Sequence, residues 1–183
     1  IDLSTNASQP MIASSGRYIV SYNGEIYNFL SLRKDLQEQG VKFSSSSDTE
    51  VLLQGIELWG LDQTLDKIEG MYAIALWDKL DKKLYLIRDR MGEKPLFYGF
   101  SNDKFFFSSE LHSFQNTNYF PLELCRKSIN TFLHFGYNEK DNTIFKNILS
   151  VPKGTYLEID TKKSLNKKNL CEIKTYWKIK NKK

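Results

Sequence analysis

Residues 21–30 read Ser-Tyr-Asn-Gly-Glu-Ile-Tyr-Asn-Phe-Leu, and Asn23, Gly24 and Glu25 within them carry the chemistry that is easiest to name. The Asn23 side chain ends in an amide N–H₂. Beside it the Gly24 backbone N–H has no Cβ to block close approach. Two such donors side by side make a minimal oxyanion hole, aimed where negative charge develops on an attacked carbonyl. Glu25 adds a carboxylate able to hold an ammonium group. The competing reading of the same dipeptide is an Asn-Gly type I′ hairpin turn with no chemistry at all. A second carboxylate, Asp48 in Ser47-Asp48-Thr49-Glu50, sits where a helix begins. Spacing alone makes it a structural residue that caps free N–H groups and complements the helix dipole.

Elements must hold these groups in place, and the pattern supplies them. Arg17 to Val20 reads as a strand leading to Asn23 at its end. Asn28 to Gln39 reads as a helix, with Phe29, Leu32 and Leu36 on one face, Asn28 capping its start and Gly40 ending it. Ser47 to Glu50 matches a capping box, followed by the apolar stripe Val51, Leu52, Ile56 and Trp59 and closed by Gly60. A shorter helix is predicted over 61–68. Strands are predicted over 72–77, 83–87, 96–100 and 104–108, with polar turns at 80–82 and 101–103. The 72–77 run is apolar almost throughout, as in a strand covered on both faces. A helix over 122–135 would turn Leu124, Ile129, Phe132 and Leu133 inward. Short strands over 143–148 and 155–159 would form a hairpin through Pro152-Lys153-Gly154. Helices after one strand, followed by a meander, give an α+β class with an antiparallel sheet.

Composition bounds the rest. A chain of 183 residues, 40% hydrophobic and 26% charged, is long enough for one cored domain. It has no apolar run of membrane-spanning length and no leader pattern at residue 1, so a cytoplasmic setting is the default and no membrane partner is expected. Cys125 and Cys171 fit no metal spacing, and His112 and His134 are isolated. The net charge of +4 conceals an uneven distribution: residues 161–183 carry nine lysines and Glu172, for +8, and the remainder carries −4. Those lysines lack interleaved arginine or aromatic platforms, so they read as a solvated tail or linker rather than a nucleic-acid surface.

Five segments, in one order, carry a resemblance: 17–29 (RYIVSYNGEIYNF), 47–53 (SDTEVLL), 69–78 (EGMYAIALWD), 88–98 (RDRMGEKPLFY) and 107–111 (FSSEL). Together they resemble the class II glutamine amidotransferase (Ntn-hydrolase) domain of glutamine-hydrolysing asparagine synthase, closely over about 1–112 and more loosely over 122–160 and Thr175-Tyr176-Trp177. The resemblance implies a four-layer αββα sandwich, incomplete at its N-terminus. It divides the chain into an amidotransferase core, 1–112, and a helix, hairpin and basic linker, 113–183, leading to a synthetase domain. It assigns the oxyanion hole to Asn23 and Gly24, and the binding of the glutamine α-ammonium to Asp48 with Glu25 beside it.

Amide hydrolysis also needs a nucleophile and a base. In the family both belong to a cysteine at the start of the mature chain, whose α-amino group acts as base. Ile1-Asp2-Leu3-Ser4 resembles an internal family segment preceded by Arg-Leu-Ser, whose arginine binds the substrate carboxylate. The cysteine strand and that arginine are therefore expected upstream, and this piece alone is expected to be inactive. An unpaired sheet edge would then expose Ile19, Ile74 and Leu76. Glutamine is the implied substrate and the synthetase domain of the same parent chain the implied partner; a homodimer stays open. No cofactor is expected in this segment, with ATP and magnesium bound by the synthetase domain. The alternatives are an amidotransferase of surface-polysaccharide synthesis and a non-catalytic glutamine-binding module.

Three local motifs are set aside. Arg88 to Leu96 lacks the glycine spacing of a Walker loop and reads as a strand-end turn stiffened by Pro95, with Arg88 or Asp89 in buried ion pairs. Ser108-Ser109-Glu110 lacks the Gly-x-Ser-x-Gly elbow. Cys125, expected in a helix, and Cys171, expected in the tail, cannot present both a thiolate and a free α-amino group.

Overall fold

A computed structural model describes residues 8–101, 104–115, 122–139, 141–163 and 171–179. The expected turn residues 102–103, the opening Ile1-Asp2-Leu3-Ser4 and lysines 167, 168, 180, 182 and 183 lie outside them.

The longest pairing fixes the architecture. Strand β2 (Tyr18–Ile26) runs antiparallel to β3 (Gly70–Asp78) over all nine residues of each, from Tyr18 opposite Asp78 to Ile26 opposite Gly70. Strand β4 (Lys83–Arg88) follows β3 through a tight turn, and β1 (Met11–Ile12) adds two residues beside β2. With β8 (Thr155–Asp160) and β9 (Cys171–Thr175) they form a six-stranded antiparallel sheet, ordered β1-β2-β3-β4-β8-β9. The second sheet has the order β6-β5-β7, from β5 (Phe97–Ser101), β6 (Lys104–Ser108) and β7 (Ile148–Ser150).

Alternation along β3 sorts the layers. Tyr72, Ile74 and Leu76 face helices α1 (Phe29–Glu38), α2 (Asp48–Trp59) and α3 (Leu61–Lys67), packing with Leu36, Leu52, Ile56 and Leu65. Ala73 faces the other way, with Leu86 and Leu157, onto Leu96, Tyr98 and Val151 of the second sheet's layer. Beyond that sheet, Phe114, Phe145 and Ile148 form a third cluster under the 3-10 turn Leu111–Phe114. The result is the α+β, four-layer sandwich expected.

Several local expectations are corrected. Asn23 is not at a strand end and Asn-Gly is no turn: both residues lie inside β2, because nine paired residues outweigh one dipeptide's turn preference. Asn28 does not cap α1; its side chain clamps the turn before β3 instead, donating to the Lys67 carbonyl at 2.9 Å and accepting from Glu69 N–H at 3.0 Å. Helix α4 spans only Arg126–Phe135, since Leu124 is held extended in a bridge to Phe145. Cys125 accordingly precedes the helix rather than lying in it. The face expected inward is exposed at Leu124, Phe132 and Leu133, with Ser128 the buried residue of the helix.

The expected hairpin is absent as well. β7 pairs with β5 and β8 with β4, so the chain crosses between sheets at Pro152-Lys153-Gly154. Part of the expected tail is β9, tied to β8 by pairing and by Lys174, whose ammonium lies 2.7 Å from Glu158. Both sheets therefore draw strands from either side of residue 112. Ile74 and Leu76 are fully buried, not exposed.

Candidate active site

β2 carries Asn23, Gly24 and Glu25 opposite Ala73, Tyr72 and Met71. The two strands approach closely here. A Cβ on Gly24 would collide with the Met71 carbonyl oxygen, and one on Gly70 with that of Glu25. Strand packing alone therefore requires glycine at 24. The side chains of Asn23 and Glu25 are exposed, and neither enters a hydrogen bond with another described residue.

The backbone edge is the informative part. β1 pairs with β2 at Ile19 and Val20, and no other described strand pairs with the edge beyond. Along that edge the Tyr22 N–H donates to Gln9 Oε1 at 2.6 Å and the Ile26 N–H to Asp48 Oδ2 at 3.0 Å. Alternate N–H groups leave an antiparallel strand on the same side. The Gly24 N–H thus falls between those two, and no described side chain closes it. One backbone donor and one side-chain amide without a partner among the described residues thus occur at adjacent positions.

Asp48 reaches this edge from the start of α2. Ser47 caps the helix, its Oγ accepting from the Glu50 N–H at 3.2 Å. The box is not reciprocal: Glu50 is anchored on the N–H and hydroxyl groups of Ser44 and Ser45, at 2.6 to 2.8 Å. Burial alone would raise the Glu50 pKa, but those four donors outweigh it and hold the carboxyl below its ordinary value. The half-buried Asp48 uses one oxygen, Oδ2, for both Ile26 N–H and the Tyr22 hydroxyl, the latter at 2.8 Å. Oδ1 has no partner among the described residues. Capping falls to Ser47, so Asp48 is freer than its position in the sequence implies.

Tyr22 and Gln9 escape sequence reasoning. Tyr22 reads as one more core aromatic of an alternating strand, and only the fold brings its hydroxyl to Asp48.

Behind the strand pair lies the Arg88–Lys94 turn. It contains no ion pair among the described residues, contrary to expectation. Asp89, fully buried, accepts five backbone N–H groups, those of Met91, Gly92 and Glu93 on Oδ1 and those of Lys94 and Tyr72 on Oδ2, at 2.6 to 3.3 Å. Arg88 donates to the carbonyls of Gly92, Lys94 and Val151 and to Ser150 Oγ. Burial lowers its pKa. The Tyr176 hydroxyl donates to the Arg88 carbonyl at 2.6 Å and meets the Tyr72 hydroxyl at 3.1 Å; burial pushes Tyr72 up to about 12.

Other reactive groups lie apart. Cys171 stands on β9, the opposite edge of the sheet, in the wall of a cavity of about 350 Å³, and burial pushes its thiol up to about 11. Among the described residues no cluster of His, Cys, Asp or Glu could hold a metal ion, and no helix is long and apolar enough to cross a membrane.

Comparison with known proteins agrees with this architecture. The family model of the glutamine amidotransferase domain matches residues 1–177. Asparagine synthetase [glutamine-hydrolyzing] 1 of Bacillus subtilis is 32% identical over 84% of this chain and 24% of its own length. The second such enzyme of that organism is 36% identical over 85% of this chain and 21% of its own. The chain thus spans about a quarter or less of these relatives. The solved glutamine phosphoribosylpyrophosphate amidotransferase of B. subtilis superposes with a TM-score of 0.67 at 19% identity, covering 95% of this chain and 33% of that one, a likeness of fold. The chain belongs to the glutamine amidotransferase domain family and is homologous to the corresponding domain of asparagine synthetases.

Proposed function

We propose that this chain is the glutamine-hydrolysing domain of an asparagine synthase, releasing ammonia from the glutamine side-chain amide for transfer to aspartate. The observation that carries the reading is the open edge of β2. There the Asn23 amide and the Gly24 N–H, without partners among the described residues, stand beside a carboxylate with one oxygen likewise unused.

A thiolate adds to the amide carbon, and the carbonyl oxygen gains the charge. Asn23 and Gly24 donate to that oxyanion. Collapse of the adduct, with the proton that the base took from the thiol passed to the amide nitrogen, expels ammonia and leaves a thioester, which water hydrolyses to glutamate and the free thiol. In this reading the thiolate comes from a cysteine other than Cys125 or Cys171: Cys171 is on the far edge of the sheet, and the Cys125 backbone is hydrogen-bonded to Ile144 in the cluster beyond the second sheet. Asp48 Oδ1, with Glu25 on the neighbouring strand position, receives the α-ammonium. A synthetase domain of the same parent would use ATP and magnesium to activate aspartate.

The natural full-length protein tests this through Asn23→Ala. Loss of an oxyanion donor should lower kcat for glutamine hydrolysis about 10²–10³-fold and change KM by less than about 3-fold. A variant that chiefly raised KM would make Asn23 a ground-state contact and remove the oxyanion role.

A further inference from the structure

Tyr22, 8% exposed, is wedged in the core between β2 and the helices, yet its hydroxyl leaves that core to donate to Asp48 Oδ2 at 2.8 Å. The Ile26 N–H donates to the same oxygen at 3.0 Å. Both donors come from β2, two residues to either side of Gly24. A carboxylate held at one oxygen by one donor can still turn about its Cβ–Cγ bond. Two donors from separate points define its plane and direct the second oxygen away from them.

We propose that Tyr22 is a positioning residue for substrate selection: it locks the Asp48 carboxylate so that Oδ1 accepts the α-ammonium, making the site selective for α-amino acid amides over amides without that group. The proposal rests on the glutamine reading of the site. The donor is present across the working pH range, since burial first and the Asp48 bond second hold the Tyr22 hydroxyl protonated. The ring would serve packing equally well as phenylalanine. The hydroxyl, which burial would otherwise penalise, is there for Asp48.

The test compares glutamine with 4-carbamoylbutanoate, the same amide without the α-amino group, as substrates of the natural full-length protein and of Tyr22→Phe. The ratio of the two kcat/KM values is the readout, because it cancels any loss of folded enzyme. Tyr22→Phe should lower that ratio about 10-fold, through a higher KM for glutamine, the size expected for one hydrogen bond to a charged group. With Asp48→Asn already in place, adding Tyr22→Phe should lower the ratio no further. An equal loss on both substrates, an unchanged ratio, or full additivity with Asp48→Asn overturns the role of Tyr22. A wild-type protein that does not prefer glutamine to its des-amino analogue fails the site reading itself, with Tyr22 falling as a consequence.

Discussion

Asp48 and Asp89 lie on either side of the β2–β3 pair, and both gather backbone N–H groups, yet they are used in different ways. Asp89 is fully buried and both of its oxygens are taken, by five N–H groups in all. Asp48 is half-buried, and two donors share one of its oxygens while the other meets none among the described residues. The first arrangement spends the whole valence of a carboxylate on holding a turn. The second spends half of it on being held. Counting donors per oxygen therefore separates a carboxylate that builds structure from one kept for a ligand, although both begin as an Asp in a polar stretch of sequence.

The largest effect should follow from emptying the turn. Asp89→Ala orphans five N–H groups in a site closed to water, where each costs about 1–3 kcal/mol. Some will find water as the turn opens, so a loss of at least about 3 kcal/mol, or failure to fold, is expected in denaturant melts. Asp48→Ala, losing two donors at a half-wet edge, should cost about 1 kcal/mol. Equal losses in the two variants would erase the distinction.

Activity should reverse the order. Asp48→Ala in the natural full-length protein removes the proposed partner of the α-ammonium, and kcat/KM for glutamine should fall about 10–100-fold, mostly in KM, an amount that charge-assisted bonds of roughly 1.5–3 kcal/mol supply. A conservative change in the turn, Arg88→Lys, should alter stability more than KM, because Arg88 contacts carbonyls behind the strands and no exposed edge. An Arg88→Lys protein that folds normally but loses glutamine affinity would put the turn in the site after all.

What the sequence discloses follows the range of the interactions. α1, α2 and α3 are legible to within a residue or two, because caps and 3.6-residue spacing are local. β9 is not: Cys171-Glu172-Ile173-Lys174-Thr175 looks like part of a lysine tail, and its partners, Glu158 among them, belong to β8 across a long connection. Asn28 fails as a cap for the same reason, being claimed by Lys67 and Glu69 from elsewhere in the chain. At the site, Asn23, Gly24, Glu25 and Asp48 are named by their motifs, though the open edge that frees the Gly24 N–H depends on where β1 stops. Tyr22 is hidden because alternation marks it as core, which it is. Its hydroxyl alone escapes the pattern.

Glu50 stands between the two aspartates and gives the smallest effect. Like Asp89 it is buried, 7% exposed, with both oxygens occupied; like Asp48 it belongs to the first turn of α2. Its folded pKa is lowered from 4.5, burial opposing and the Ser44 and Ser45 donors prevailing. A lowered carboxylate pKa adds stability that is complete above the unfolded value and is lost as pH falls through the folded one. As pH falls from the unfolded value through the lower folded one, the wild type should therefore lose more stability than Glu50→Gln, whose amide does not titrate there. Taking the difference between the two proteins removes the contributions of Asp78 and Glu158, whose pKa values are lowered as well. Parallel acid curves would mean that the serine donors hold Glu50 no better than water does, and that a filled carboxylate at a helix start is no firmer than the half-filled one beside it.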